Sequence, residues 1–314
     1  MDLAILGAGA VGRAVAALAG EYGHRVTALA DSSSASIDRN GLDVAAALAR
    51  KRNSGAVGED VPESVLEAEY DTLVEATPTT LGDAEPGYSH VVDALERDRH
   101  VVLANKGPVA ERYDDVMAAA ADSEGDVRFE ATVGGAIPAI ATLEGLGPEH
   151  VSAARGVLNG TANFILTRMA TEGLAYEHVL AEAQDLGVAE ADPSFDVDGT
   201  DAALKGVILA NVLHDGGFTL ADARIEGIED FPVNALDVAA EDGNTIRLIG
   251  EVASGRVRVG PRLVPDNDAL AVSGTMNIVQ YDTEHAGRMN ISGRGAGGEE
   301  TASAVLADVD RLGC

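Results

Sequence analysis

The rarest cations carry the most chemical potential in this chain. Of 22 basic residues only three are lysines: Lys51, Lys106 and Lys205. An ammonium can release its proton in a tuned site whereas a guanidinium stays charged, so each lysine kept in an arginine-rich chain invites a chemical reading. For Lys51, chance is explanation enough. Lys205 closes the densest polar segment, GVAEADPSFDVDGTDAALK, in which Glu190, Asp192, Asp196, Asp198 and Asp201 precede it. After Gly199 the pattern turns helical, which sets Asp201 and Lys205 four residues apart on one face. On a solvated helix this is an ion pair worth roughly 0.2–0.5 kcal/mol. The following GVILANVL run is so apolar that the helix reads as buried instead. A lysine there must be held by carboxylates, and it becomes a candidate for proton transfer.

A second constellation lies at the N-terminus. Asp2 to Leu6 reads as a short apolar strand, and Gly7-Ala8-Gly9-Ala10-Val11-Gly12 then runs into an alanine-rich helix ending near Tyr22. This is GxGxxG in the strand–turn–helix context of dinucleotide binding. Gly7 permits the tight turn, Gly9 lets backbone approach a pyrophosphate, and Gly12 lets helix pack on strand. The helix start at Ala10 and Val11 offers unpaired N–H groups to the anion. A second apolar run, Arg25 to Ala30, ends in Asp31, about 20 residues beyond the last glycine, where an acid receives the ribose hydroxyls. Asp31 favours NAD, whereas Arg39 or Lys51 offers charge to the 2′-phosphate of NADP, so both cofactors stay open.

These residues need elements to hold them. Strands are expected at Thr72–Ala76, His100–Leu103 and Val127–Ala131, with helices around Ser89–Asp98 and Val109–Ser123. Strands alternating with helices imply an α/β fold built on a Rossmann doubly wound parallel sheet, with ligands beyond the carboxyl ends of its strands. Thr77-Pro78-Thr79 and Ala104-Asn105-Lys106 fall at those ends, and a lysine there would face the nicotinamide. In the second half a strand is expected at Val151–Leu158. Small polar residues from Asn159 to Asn163 cap a helix through Arg168, and another helix covers Tyr176–Leu186. Strands near Val257–Val264 and Met276–Tyr281 suit the mixed sheet of a second, α+β domain, whose apolar faces offer a dimer surface. The glycine turn at Arg294–Gly298 precedes a helix at Thr301–Leu312, which either returns to pack on the first domain or follows a mobile loop. The expected domains are 1–135 with 295–314, for the dinucleotide, and 136–294.

Composition bounds the partners. The 314 residues hold 46% hydrophobic side chains and carry a formal net charge of −30, spread along the chain. A carboxylate shell of this density suits concentrated salt, which points to a halophilic source. It disfavours nucleic acid and anionic membranes, both of which require basic surface. No apolar run approaches a membrane span and no signal core follows the N-terminus, so a soluble cytoplasmic protein is expected. The lone cysteine, Cys314, excludes a disulfide framework, a multi-thiolate zinc site and an internal thiol nucleophile for covalent aldehyde oxidation.

The stretches GAGAVG, ANKGPVA, FEATVGGAIPAI, GVLNGTANFIL, LGVAEADPSFDVDGTDAALK and GRGAGGEETASAVLADV, in order and across essentially the whole chain, resemble homoserine dehydrogenase. The resemblance implies reversible reduction of aspartate 4-semialdehyde to homoserine with NAD(P)H, on a Rossmann domain joined to a catalytic and dimerising domain. It implies a catalytic lysine at Lys205 and a second, strand-end lysine at Lys106, with the proton-transfer role open between them. It further implies substrate binding by Glu190 and Asp201, with Asp192 and Asp196 in the same acidic pocket. A structural sodium ion would lie on Glu130, Val133, Gly135 and Ile137, chiefly through backbone carbonyls. The chain stops just after Leu312, as in a short form without a C-terminal regulatory extension. The rival reading, a nicotinamide-responsive binding module without turnover, leaves the retained lysines unexplained.

Overall fold

A computed structural model of the chain describes residues 1–229 and 231–312, so Cys314 lies outside the described residues. The elements run β1 (Asp2–Leu6), α1 (Ala10–Leu18), β2 (Arg25–Ala30), β3 (Ala35–Ile37), α2 (Val44–Ser54), β4 (Thr72–Glu75), α3 (Gly87–Leu95), β5 (His100–Leu103), α4 (Gly107–Glu111), α5 (Tyr113–Ala121) and β6 (Val127–Arg128). They continue with α6 (Ala139–Leu146), β7 (Val151–Val157), α7 (Gly160–Glu172), α8 (Tyr176–Asp185), α9 (Ser194–Val197), α10 (Thr200–His214), β8 (Ala223–Ile225) and α11 (Val233–Glu241). Last come β9 (Asn244–Ala253), β10 (Arg256–Pro265), β11 (Met276–Thr283), β12 (Arg288–Arg294) and α12 (Gly298–Leu312). Two compact units result, Met1–Ala136 with the segment from Ala296 onward, and Ile137–Gly295.

In the first unit six strands take the order β3-β2-β1-β4-β5-β6. All neighbours are parallel except β2 and β3, which are antiparallel at the edge. This is the doubly wound α/β topology, and its strand order reverses between β1 and β4, where such sheets open a ligand crevice. Strands β1 and β5 are apolar and buried after their first residues, and β4 is buried throughout although it carries Thr72 and Glu75, as in a sheet covered on both faces. Helix α12 belongs to this unit. Its Ala302, Val305, Leu306 and Val309 are buried in one cluster with Leu3, Ile5 and Val15.

Two expected elements are shorter than their apolar patterns. The strand expected at Val127–Ala131 stops at Arg128 and gives way to a 3-10 turn, because the Glu130 N–H bonds the Asp308 carboxylate at 2.8 Å instead of a neighbouring strand. The helix expected over 109–123 breaks at Arg112 (φ −132°). There the guanidinium lies 3.9 Å from the Tyr88 ring centroid and donates to Asp115 at 2.6 Å.

The second unit holds a mixed sheet ordered β12-β11-β7-β9-β10-β8, antiparallel except where β8 runs parallel to β10. Helix α10 packs on β9 and β10 and is buried at every position from Asp201 to Asn211. A helix this apolar all round is a core helix, so any charge on it needs an internal partner. Among the described residues no helix is long and apolar enough to cross a membrane.

Candidate active site

The glycine turn of the first unit fits a dinucleotide. Gly7 has φ +105°, and a Cβ there would lie 2.3 Å from the Ala76 carbonyl oxygen, at the end of β4. A Cβ on Gly12 would meet the Gly7 oxygen at 1.8 Å. Gly9 differs, since nothing lies within 4 Å of its missing Cβ. Open space there borders the first turn of α1, where no side chain caps the N–H groups and no acid stands. Unpaired donors without a competing carboxylate make a phosphate site.

Asp31 follows β2 but does not wait empty for a ribose. Its Oδ1 accepts from the Ser33 N–H, the Ser33 hydroxyl and the Ser34 N–H, each at 2.8 Å. Its Oδ2 accepts from the Ser34 hydroxyl at 3.1 Å, Lys51 Nζ at 2.9 Å and the Val57 N–H at 3.1 Å. Burial works against the charge, yet Lys51 and the serine donors hold the carboxyl well below the usual carboxylate range. Lys51 is thus an internal counter-ion, and Arg39 is exposed in the turn beyond β3.

At the ends of β4 and β5 the structure brings Thr77 and Asn105 into one network, with Lys106 next to it in the chain. Its centre is Glu75, fully buried, whose Oε1 accepts from the Thr77 hydroxyl and from the Thr77 N–H at 3.3 Å. His90 Nδ1 of α3 lies 3.4 Å from the same oxygen. The Asn105 amide donates to the Thr77 hydroxyl at 3.2 Å and accepts from the Gly107 N–H at 2.9 Å. The Lys106 N–H reaches the Thr79 hydroxyl at 3.3 Å. Gly87 makes the room, since a Cβ there would sit 2.5 Å from Asn105 Nδ2.

The second unit has its own polar cluster, built on α10. Lys205 and Asp201 are each 6% exposed, and Lys205 Nζ donates to Asp201 Oδ2 and to the Leu158 carbonyl, both at 2.7 Å. Asn159 accepts from the Ala162 N–H at 2.8 Å as the N-cap of α7, and its amide donates to Asp201 at 2.9 Å and Asp196 at 2.6 Å. The Asn277 amide adds a bond to the Leu158 carbonyl at 3.0 Å. Burial, then the Asp201 charge, pushes the Asp196 carboxyl up, while Asn159, Lys205 and Thr161 pull it down. Two of the four acids expected in the pocket stand apart from this cluster. Asp192 is exposed and accepts from the Ser194 N–H at 3.1 Å and hydroxyl at 2.6 Å, and those bonds lower its pKa. Glu190 is also exposed.

Known proteins resemble the chain in sequence and in fold. The family model described as Homoserine dehydrogenase matches residues 138–309, and one described as Glutamate/Leucine/Phenylalanine/Valine dehydrogenase matches residues 1–181. The homoserine dehydrogenase of Methanocaldococcus jannaschii is 39% identical, over 98% of this chain and 97% of its own. The chain belongs to the homoserine dehydrogenase family. That is a family of oxidoreductases. The NAD(+)-dependent homoserine dehydrogenase of Pseudomonas canavaninivorans is 36% identical over 98% of this chain and 94% of its own. A crystal structure of a putative homoserine dehydrogenase from Archaeoglobus fulgidus superposes with a TM-score of 0.92, at 40% identity and 99% coverage of both chains. A hyperthermophilic archaeal homoserine dehydrogenase in complex with NADPH gives a TM-score of 0.86, at 29% identity, covering 99% of this chain and 97% of that one. Longer homoserine dehydrogenases also match, and the chain spans about 60% of their length.

Sequence reading of this homoserine dehydrogenase family member misses Glu75, Asn159 as a bridge between carboxylates, and Asn277. Glu75 carries a weak local signal in the Thr77 hydroxyl two residues on. Asn159 reads only as a cap. The positions named for sodium are buried: Glu130 in the turn after β6, then Val133, Gly135 (φ +56°) and Ile137. The Glu130 carbonyl already accepts the Val133 N–H at 3.3 Å, and that of Ile137 the Ala139 N–H at 2.7 Å. Arg311 lies 3.6 Å from the Glu130 carboxylate.

Proposed function

We propose that the chain catalyses the reversible NAD(P)-dependent reduction of L-aspartate 4-semialdehyde to L-homoserine, a step toward threonine and methionine, with residues 1–135 and 295–314 binding the dinucleotide and residues 136–294 forming the catalytic and dimerisation domain. The observation that carries this reading is the buried Lys205–Asp201–Asn159–Asp196 cluster in a homoserine dehydrogenase family member. When bound, the nicotinamide supplies or takes the hydride. Gly7, Gly9 and Gly12 with the N–H groups of Ala10 and Val11 would hold its pyrophosphate, and Thr77 and Lys106 would serve the end that exchanges hydride.

An ammonium has three N–H donors. Two from Lys205 go to Asp201 and Leu158, and the third serves the substrate oxygen. In reduction Lys205 gives that proton to the alkoxide formed as hydride reaches the aldehyde carbon. In oxidation the neutral amine accepts the hydroxyl proton before hydride leaves. Glu190 and Asp201 hold the substrate ammonium, with Asp192 and Asp196 adding negative potential. Lys106 orients substrate against cofactor and is the competing proton donor. No step is assigned to sodium; an ion on Glu130, Val133, Gly135 and Ile137 would be structural only. Exposed Leu263 on β10 and Met276 on β11 support pairing of two copies through the second unit. The acid-rich composition supports a life in concentrated salt.

The deciding experiment follows nicotinamide absorbance in high salt with homoserine and with aspartate semialdehyde, for wild type, Lys205→Ala and Lys106→Ala. Wild-type turnover should fall at least about a hundredfold in Lys205→Ala, and less in Lys106→Ala. The reverse ranking transfers the proton role to Lys106. No wild-type turnover with either substrate and either cofactor removes the assignment.

A further inference from the structure

Outside all of these residues, two of the chain's seven histidines converge on one carboxylate. The register of the second sheet brings them together. Thr283 at the end of β11 pairs with Val151 at the start of β7, and the Glu284 N–H then bonds the His150 carbonyl at 3.0 Å. His150 precedes β7, and Glu284 and His285 open the turn into β12. That turn is held by bonds from the Thr283 N–H to the Gly287 carbonyl at 3.0 Å and from the Ala286 N–H to the Thr283 hydroxyl at 2.9 Å.

Candidate ligand atoms of His150, Glu284 and His285 all lie within 4.8 Å of one another. Glu284 Oε2 stands 3.7 Å from both His150 Nδ1 and His285 Nε2. Around an ion bound at roughly 2.0–2.2 Å, tetrahedral ligand atoms are about 3.3–3.5 Å apart; the two glutamate–histidine distances are within a few tenths of an ångström of that, and the two exposed imidazoles, within 4.8 Å, close the rest by side-chain rotation. The other ring nitrogen of His150, Nε2, faces Glu149 Oε1 at 3.8 Å. A carboxylate in that place is the usual outer partner of a metal-bound imidazole, fixing its tautomer and ring plane.

We propose that His150, Glu284 and His285 form a surface site for one borderline divalent ion of the zinc class, with Glu149 as the outer carboxylate and water completing the shell. Two imidazoles select zinc, nickel or copper over magnesium and calcium, which prefer all-oxygen shells. All three residues are exposed, so the ion reaches the site from solution. Bound there, it clips the turn between β11 and β12 to the start of β7 and takes no part in hydride or proton transfer.

The test is calorimetric titration of the chelator-stripped full-length protein with zinc in concentrated salt, which suppresses diffuse attraction to the acidic surface. One equivalent should bind to wild type, while magnesium gives no heat and cobalt develops visible bands of tetrahedral type. His285→Ala changes a side chain that is 84% exposed, so the fold is kept. It should weaken zinc at least about tenfold, as should Glu284→Gln, with turnover of homoserine unchanged in both. Absence of zinc binding to wild type, equal binding of magnesium, or zinc affinity unchanged in both variants overturns the proposal and leaves a His–Glu ion-pair cluster only.

Discussion

A carboxylate buried beside a lysine and one buried beside an arginine behave differently here, and the partners explain why. Asp31 is held low despite its burial because six donors converge on it, Lys51 foremost. That pairing bears on cofactor choice. If Asp31 faces the ribose, as the glycine motif implies, removing Lys51 deletes a cation there and leaves the Asp31 charge to neutral donors alone, and both effects oppose a 2′-phosphate. Lys51→Ala should therefore raise KM for NADPH at least about tenfold more than KM for NADH, as read by initial rates. Equal changes for the two cofactors count against Lys51 as a selector.

Asp308 shows the opposite balance. It is 1% exposed, and burial pushes its carboxyl up to about 6 against the pull of the Glu130 N–H, Arg311 and Arg128. Its folded-state pKa stands above the unfolded value. Its contribution to stability is thus present below about pH 4 and lost as pH rises through about 6, on the order of 2–3 kcal/mol in all. In thermal melts the stability of wild type relative to Asp308→Asn should fall between pH 4 and 7. A constant difference across that range contradicts the assignment.

Among the elements, the glycine turn allows the least variation. Ala at position 7 would take up φ +105° and press its Cβ into the Ala76 carbonyl, driving β1 and β4 apart at the crevice. Gly7→Ala should destabilise the protein by about 2 kcal/mol or more in denaturant melts and abolish NADPH fluorescence enhancement. This turn was legible in the sequence because its constraint is steric and local. So was α10, whose apolar run implied burial and whose Asp201–Lys205 spacing implied the ion pair found at 2.7 Å. Strand β9 escaped notice. It lies between β7 and β10, and Ile249 interrupts the alternate face on which Arg247 and Glu251 stand. Arg247 is 5% exposed, bonded to the Val272 carbonyl, the Thr245 hydroxyl and the Ile246 carbonyl, partners that appear only after folding. Glu75 escaped for the same reason. His90 reaches it from α3, and Asn105 bonds the Thr77 hydroxyl that in turn donates to it; nothing in the strand's sequence announces them.

For the whole molecule, a net charge of −30 on 314 residues means self-repulsion that dilute buffer leaves largely unscreened. At about 1 M salt the Debye length shrinks to roughly 3 Å, so the melting temperature should climb by several degrees from 0.1 M to molar potassium chloride. A flat or falling curve argues against a chain adapted to salt. The placement of α12 sets a different condition, one of timing. Its Val305, Leu306 and Val309 share a core with Leu3 and Ile5, yet residues 137–295 are synthesised between them. On the ribosome the second unit can close while the first still lacks a wall. The nucleotide fold, first to emerge, is the last to be finished.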